Sequence, residues 1–508
     1  MSKRPSTIKN SLYSLVAFAW PIAMSFFTAP FIVHTLGTEN YGLLALTLSI
    51  VGFLAFMDFG VAPALVRYTA KYSAIKDFDG LNKIFSAALV FYLIIGTVGA
   101  TLLVLFALLW APDVVKVSAE NLQTVRTVFL LAAGGFFINM LLTAFAAIPG
   151  SLQRFDITSK VNLTVATTST ALTVAIVATG GGVPIIVALG MLTSLSAIFV
   201  YRRINKRLIP ELHFIPRTVS KDSFRKILAF GGYATIATLA TTILFELDKL
   251  ILGSMLGTSA VAYYVLPGNL ATKIHGAVVA MTTVIFPLST ALFVERNHTE
   301  LNKLYGRATR LVALFLGVMI TPLYIYAYPF LLYWLGPDFA ANSTSVMQIL
   351  LATYSILAFT AIPVFLVFGI GKPVYGAIFA GSSAILNLTL LYLMIPMFGL
   401  NGAATAYLIA VIPTALALGI FVERKIISFP SRQFYLRLIP QFLVIIMLGL
   451  SLSFVLKAFI GSLIAFILIY AATVALVFGL IWIVGIVPKE DKQMVLGYLQ
   501  KFLPARQT

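Results

Sequence analysis

Cysteine is absent from this chain, which excludes disulfides and thiolate metal sites. The absence does not identify a compartment, because a protein anchored by many membrane spans needs neither. Charge is scarce too: Asp, Glu, Lys and Arg make up 10% of the 508 residues, against about a quarter in soluble domains. Acidic residues are the scarcer sign, 17 against 35 basic. The four histidines, His34, His213, His275 and His298, form no metal-ligand cluster in the sequence, so neither a metal nor any other cofactor is expected. No GxxxxGK[ST] sequence occurs, so ATP is not expected to drive the protein directly. "DFG" at Asp58 to Gly60 matches a kinase triplet by chance, since no glycine-rich or catalytic loop accompanies it. Large external loops are missing as well. A membrane-embedded glycosyltransferase or polymerase would need such a loop to carry its catalytic charges, and no enzyme is expected.

What the chain has in abundance is apolar sequence, 60% of all residues. A helix needs roughly 20 apolar residues to cross a hydrocarbon core of about 30 Å. Such stretches recur from Leu12 almost to Val487, and the first is too long for the h-region of a signal peptide. The expected fold is an all-α polytopic membrane protein of about fourteen transmembrane helices. They fall near 11–36, 40–66, 83–111, 122–150, 155–179, 183–202, 226–256, 260–292, 306–335, 341–370, 374–397, 400–422, 434–457 and 461–487.

Lys and Arg are retained on the cytoplasmic side of short loops. With the N-terminus inside, all but five of the 35 basic residues fall on the cytoplasmic side, the exceptions being Lys116, Arg126, Lys457, Lys249 and Lys273. That alternation supports an even number of spans with N- and C-termini both cytoplasmic. It also explains the net charge of +18, whose partner is anionic membrane lipid and not nucleic acid.

A repeat is visible at an offset of 220 residues. "LGT" at Leu36 to Thr38 returns at Leu256 to Thr258, "LNKIF" at Leu81 to Phe85 returns as "LNKLY" at Leu301 to Tyr305, and further on, with a small insertion, "WAPD" at Trp110 to Asp113 returns as "WLGPD" at Trp334 to Asp338. Six spans per copy give both copies the same orientation, a parallel repeat able to enclose a cavity and to rock about it. The expected organisation is a six-helix lobe over 1–207, a cytoplasmic linker over 208–225, a second six-helix lobe over 226–425, two additional helices over 426–487 and a cytoplasmic amphipathic tail over 488–508.

Ionisable residues inside spans are costly to insert and usually face a cavity or a partner. "FELDKLILGSMLG" carries three in one turn of the seventh span. Glu246 and Lys249 share a face at i, i+3, either as a neutralised structural pair or as a cavity-lining site. Asp248 points elsewhere, as a structural acceptor or a residue of ion coupling. At about 1.5 Å per residue, Lys249 lies roughly 12 Å from the external loop at Gly257. Lys273 has no carboxylate at i±3 or i±4 and reads as a cavity cation, while His275 is either packed or cavity-lining. Asp58 and Arg67 occupy the inner part of the second span, Asp58 as a structural residue or a residue of ion coupling and Arg67 as a topology anchor or a ligand contact. Pro21, Pro30, Pro63, Pro287 and Pro363 are expected to kink their helices.

These stretches resemble the polysaccharide-biosynthesis membrane proteins, the O-antigen or lipid-linked oligosaccharide flippase type of the multidrug/oligosaccharidyl-lipid/polysaccharide exporter superfamily. In "FELDKLILGSMLGTSAVAYYVLPGNL" and "VIFPLSTAL" the matching positions are Asp248, Leu252, Gly253, Leu256, Gly257, Tyr263, Pro287 and Leu288. In "PFIVHTLGTENYGLLAL" and "FMDFGVAPALVRYTAKY" they are Pro30, Leu36, Gly37, Tyr41, Gly42, Asp58, Gly60 and Arg67. The resemblance covers roughly Met1 to Ser431. It implies a V-shaped, two-lobed bundle in a bacterial inner membrane that moves an undecaprenyl-diphosphate-linked oligosaccharide repeat unit to the periplasmic leaflet by alternating access. It further implies a cationic lumen and a coupling ion, proton or sodium. Lys273, Lys249 and Arg67 are this chain's candidate cations. The competing reading within the superfamily is an ion-coupled exporter of small cationic or amphipathic drugs. A lumen that offers Lys suits an anionic cargo better, and drug exporters normally lack the extra pair of spans.

Overall fold

The computed structural model describes residues 7–118, 121–485, 488 and 492, which are almost wholly helical and contain no β-strand. The expected amphipathic tail at 488–508 lies almost entirely outside the described residues.

The chain opens with α1 (Thr7–Leu36), which ends at Gly37 with φ 80°. α2 (Thr38–Phe53) runs into a 3-10 turn, Leu54–Asp58, and then a break at which Phe59 and Gly60 both have positive φ. α3 (Val61–Ala74) restarts with Pro63 in its first turn, where a helix has no use for the missing N–H. Then come α4 (Phe78–Leu109), α5 (Ala111–Val114), α6 (Leu122–Ser151), α7 (Phe155–Ala178) and α8 (Val183–Leu208). The Asp77 carboxylate caps α4 by accepting from Gly80 N at 2.8 Å. α9 (Lys221–Leu256) begins at Ser220, whose hydroxyl accepts from Ser223 N at 3.2 Å, and ends at Gly257 with φ 91°. The two "LGT" copies thus share one backbone conformation, a C-terminal stop that glycine adopts without strain.

α10 (Thr258–Thr282) and α11 (Ile285–Val294) are separated by a turn at Thr283 and Val284, again with a proline, Pro287, in the first turn of the new helix. After these come α12 (His298–Leu335), α13 (Pro337–Gly369), α14 (Val374–Phe421), α15 (Ser431–Leu456) and α16 (Leu463–Ile483). The prolines therefore divide into two groups. Pro63 and Pro287 follow breaks, whereas α1 continues through Pro21 and Pro30 and α13 through Pro363.

Among the described residues, twelve helical segments are long and apolar enough to cross a membrane. The difference from the expected fourteen falls in two places. α14 runs through two expected spans, with non-helical backbone at Gly399 (φ 54°) where they were to be separated. α9, bearing Glu246, Asp248 and Lys249, is not among the twelve.

The chain forms two compact units, Met1–Leu266 with Ala377–Ala410, and Pro267–Gly376 with Val411–Thr508. The 208–225 segment lies within the first unit, and packing holds it there. That segment is strapped onto α4: Asn82 Nδ2 donates to the Glu211 carbonyl at 2.9 Å and Asn82 Oδ1 accepts from His213 N at 2.8 Å. Ser86 Oγ accepts from Ile215 N at 2.9 Å. α9 then packs against α2, α3 and α4, so the seventh helix belongs to the first unit. Just beyond α9, at the second "LGT", a Cβ on Gly42 would overlap the carbonyl of Thr258, the first residue of α10.

The core of the first unit joins α3, α4 and α6 through Leu65, Phe85, Tyr92 and Phe136. In the second unit, α15 and α16 dock on α12. Tyr326 and Thr473 share a hydroxyl bond at 2.9 Å, and Tyr470 donates to the Met319 carbonyl at 3.0 Å. Large apolar side chains also face outward, Phe454 at 75% and Ile464 at 73% exposure among them. A surface apolar on this scale is the surface of a protein dissolved in lipid.

Lys116, one of the basic residues that broke the charge alternation, has a local role. Its Nζ donates to the Met255 carbonyl at 2.9 Å, and its own carbonyl accepts from Thr258 N at 3.3 Å. A cation at a helix C-terminus satisfies carbonyls that the helix leaves open.

Candidate functional site

The two aspartates that carry the family resemblance do similar work. Asp58 ends the 3-10 turn after α2, and its carboxylate accepts from Ala62 N at 3.2 Å, capping α3 across the break. The Tyr92 hydroxyl of α4 donates to the same carboxylate. Asp248, 2% exposed on α9, accepts from Tyr264 Oη on α10 at 2.8 Å and from Lys249 N at 2.8 Å. An aspartate in each place thus ties a helix to its neighbour through a tyrosine. Sequence spacing pointed to neither tyrosine, because Tyr264 lies on the next helix and Tyr92 on the one after next, in contacts that only packing creates.

On another face of α9, Lys249 Nζ donates to Glu246 Oε2 at 2.7 Å, with the two side chains 19% and 28% exposed. Gly52 of α2 lies beside the Glu246 carboxyl, where a Cβ would touch it at 3.6 Å. The pair is neutral overall and half-buried. Its faces divide the helix, for the neighbouring stripe of Leu247, Leu250, Ile251 and Ser254 lines a separate, apolar cavity of about 310 Å³ with Tyr392.

Lys273 and His275 fall in the second unit. Lys273 is exposed on α10 and makes no ion pair or side-chain hydrogen bond with the described residues. The His275 ring is half-buried, 5.9 Å from the Tyr354 ring of α13. Arg67 in the first unit is exposed on α3, with its guanidinium 5.9 Å from the Tyr68 ring. Of the seven candidates, the structure brings together Glu246 with Lys249, and Asp248 with the backbone N–H of Lys249. No metal-binding cluster of His, Cys, Asp and Glu occurs among the described residues.

One buried acid escaped sequence reasoning. Glu423, 4% exposed in a π-helical turn after α14, accepts from Tyr305 Oη at 3.0 Å, Tyr435 Oη at 2.6 Å and Ser431 Oγ at 2.5 Å. It lay beside Arg424 and Lys425 and read as part of a loop. The available signal was a lone acidic residue on a chain end otherwise reserved for bases.

Comparison with known proteins agrees with this architecture. Residues 7–293, more than half of the chain, match the family model described as polysaccharide biosynthesis protein. A Shigella flexneri protein named "Putative O-antigen transporter" is 24% identical over 427 residues, which are 81% of this chain and 97% of that one. Among solved structures, an inward-facing multidrug resistance MATE family transporter of the MOP superfamily superposes with a TM-score of 0.69 at 16% identity, covering 82% of this chain and 94% of its own. The lipid II flippase MurJ, in an inward closed conformation, gives 0.66 at 14% identity, covering 94% and 99%. These are transporters and a flippase, not enzymes, and at such identity the solved structures speak for the fold alone. The chain belongs to the polysaccharide biosynthesis protein family and has the all-helical membrane fold of the MOP-superfamily transporters.

Proposed function

We propose that the protein is a flippase that carries an undecaprenyl-diphosphate-linked oligosaccharide repeat unit from the cytoplasmic to the periplasmic leaflet of a bacterial inner membrane. It would work by alternating access of the six-helix lobes 1–207 and 226–425, coupled to a proton or sodium gradient, with both termini cytoplasmic. Family membership supplies the class of cargo. The observation that carries the reading is the state of the embedded charges. Asp58, Asp248 and Glu246 are each engaged by donors of the chain itself, while the exposed ammonium of Lys273 has no bonded partner among the described residues. An exposed ammonium on a membrane-spanning helix suits a diphosphate.

The Glu246–Lys249 pair supports the coupling step. It holds a carboxylate and an ammonium together in one half-buried turn of α9, an arrangement able to exchange its partner for a coupling ion. Deletion of the gene tests the cargo: surface polysaccharide should disappear and the lipid-linked repeat unit accumulate in the inner leaflet. Persistent surface polysaccharide without accumulation would rule the flippase out. Lys273→Ala should insert normally and lower translocation by about tenfold or more, as expected for losing a charged hydrogen bond worth about 1.5–3 kcal/mol. Wild-type translocation by that variant would remove Lys273 from the site. Reporter fusions to both ends test the topology, and a periplasmic signal from either would overturn it.

A further inference from the structure

The second unit contains a basic cavity that none of the candidate residues uses. It encloses about 940 Å³ at the beginnings of α12 and α15, the ends that the charge pattern assigns to the cytoplasmic side. Two polar stripes line it. Lys303, Arg307 and Arg310 are spaced i, i+4, i+7 on α12, and Gln433, Arg437 and Gln441 are spaced i, i+4, i+8 on α15, so each set shares one helix face. Four basic side chains therefore meet one carboxylate, Glu300, which is bonded to Lys303 at 2.8 Å. Arg307 and Arg310 are half-buried and Arg437 is exposed. Guanidinium groups held between packed helices near a membrane surface are suited to a phosphate.

A second cavity of about 500 Å³ adjoins the first at Leu438, which lines both. Its walls include Phe359, Ile412, Leu416, Ile420, Ile439 and Phe442. Leu416 is 60% exposed and Ile439 52%, so this cavity opens onto the apolar outer surface. Its one acid, Glu423, is already bound by Tyr305, Tyr435 and Ser431. Leu438 therefore stands between a basic chamber and an apolar cleft, the two chemistries that the head and the chain of an anionic amphiphile require.

We propose that these neighbouring cavities bind an anionic phospholipid of the bilayer, with its phosphate on Arg307, Arg310 and Arg437 and an acyl chain in the cleft on the other side of Leu438. The site is independent of the flippase reading, because its ligand is a component of the membrane and its readout is bound lipid. Native mass spectrometry of the full chain in mild detergent, titrated with phosphatidylglycerol or phosphatidylcholine, measures it directly. Wild type should retain phosphatidylglycerol in preference to phosphatidylcholine. The triple variant Arg307→Gln/Arg310→Gln/Arg437→Gln should bind phosphatidylglycerol on the order of a hundredfold more weakly, at about fivefold per basic residue near a membrane surface. Arg202→Gln/Arg203→Gln/Arg207→Gln, which removes the same charge from exposed positions near the end of α8, should bind as wild type does. Should the triple variant misfold, Arg437→Gln alone, at an exposed position, should still show the fivefold loss.

Equal losses in the two triple variants, or none in the first, would overturn the site. Pyrophosphate separates the sources of phosphate. Displacement of the lipid by micromolar pyrophosphate would mean that the cavity takes free phosphate and that the lipid assignment is wrong. Dihexanoyl phosphatidylglycerol should bind at least tenfold more weakly than the dioleoyl form, and equal binding would overturn the role of the apolar cleft.

Discussion

The starts of α4 and α12 carry nearly the same words, "LNKIF" and "LNKLY", and end in different surroundings. In α4, Asn82 and Ser86 hold the backbone of the segment that follows α8. In α12 the corresponding residues are Asn302 and Gly306. The buried Asn302 amide oxygen accepts no hydrogen bond from a described residue, and the rings of Phe429 and Phe434 pack against Gly306. The cause lies 130 residues further on, since the repeat continues there: "IPELHF" at Ile209 to Phe214 matches "FPSRQF" at Phe429 to Phe434 at the same offset of 220. After Pro210 the chain forms no α-helix until Lys221 and straps α4, whereas after Pro430 it becomes α15 and its carbonyls enter that helix's own ladder. Where the first copy has a strap, the second has a basic cavity. One further change, Phe85 to Tyr305, supplies a hydroxyl that Glu423 uses, while Phe85 meets the edge of Phe145 at 5.7 Å.

That contrast can be broken by mutation, with chemical denaturation in detergent as the measure. Glu423→Ala should have the largest effect, about 3 kcal/mol, because three hydroxyls lose their acceptor at once. A loss under about 1 kcal/mol would show that water replaces the carboxylate. Asn82→Ala should cost about 2 kcal/mol, since it strands a carbonyl and an N–H of the strap. It should also raise hydrogen exchange or protease sensitivity over 208–220, and unchanged sensitivity there would mean that the strap does not depend on this residue. Tyr305→Phe should cost about 1 kcal/mol, the ordinary worth of one hydrogen bond, because Glu423 keeps two other donors. Asn302→Ala should change stability by no more than about 0.5 kcal/mol, its oxygen having no bond to lose. If Asn302→Ala proved as damaging as Asn82→Ala, the two helix starts would be equivalent and the comparison would fail.

Much of this architecture was legible. The apolar runs set the helices, and the "LGT" loops predicted paired turns that the structure shows as Gly37 and Gly257 with φ 80° and 91°. Asp58 and Asp248 stand in the stretches that carry the family resemblance, and both serve as bonded acceptors between helices. Glu246 and Lys249 were expected to share a face and do so as an ion pair. The site was less legible, because its partners come from other helices. Tyr92, Tyr264, Tyr305 and Tyr435 look like any aromatic residue in an apolar run until packing sets a carboxylate against each hydroxyl. Nor was the role of the linker visible, for a polar stretch between spans reads as loose chain unless Asn82 and Ser86 are known to hold it.

The sequence by itself determined that this is a multi-span helical membrane protein, because hydrocarbon admits a backbone only when its polar groups are bonded within the segment. It also determined the helix stops and the faces on which charges stand, since turn chemistry and helical periodicity are local. Tertiary structure alone decided which charges are satisfied, where the seventh helix belongs and why one copy of the repeat is strapped and the other open. Those outcomes depend on contacts between residues tens to hundreds of positions apart, and no local pattern encodes a distance that only folding closes.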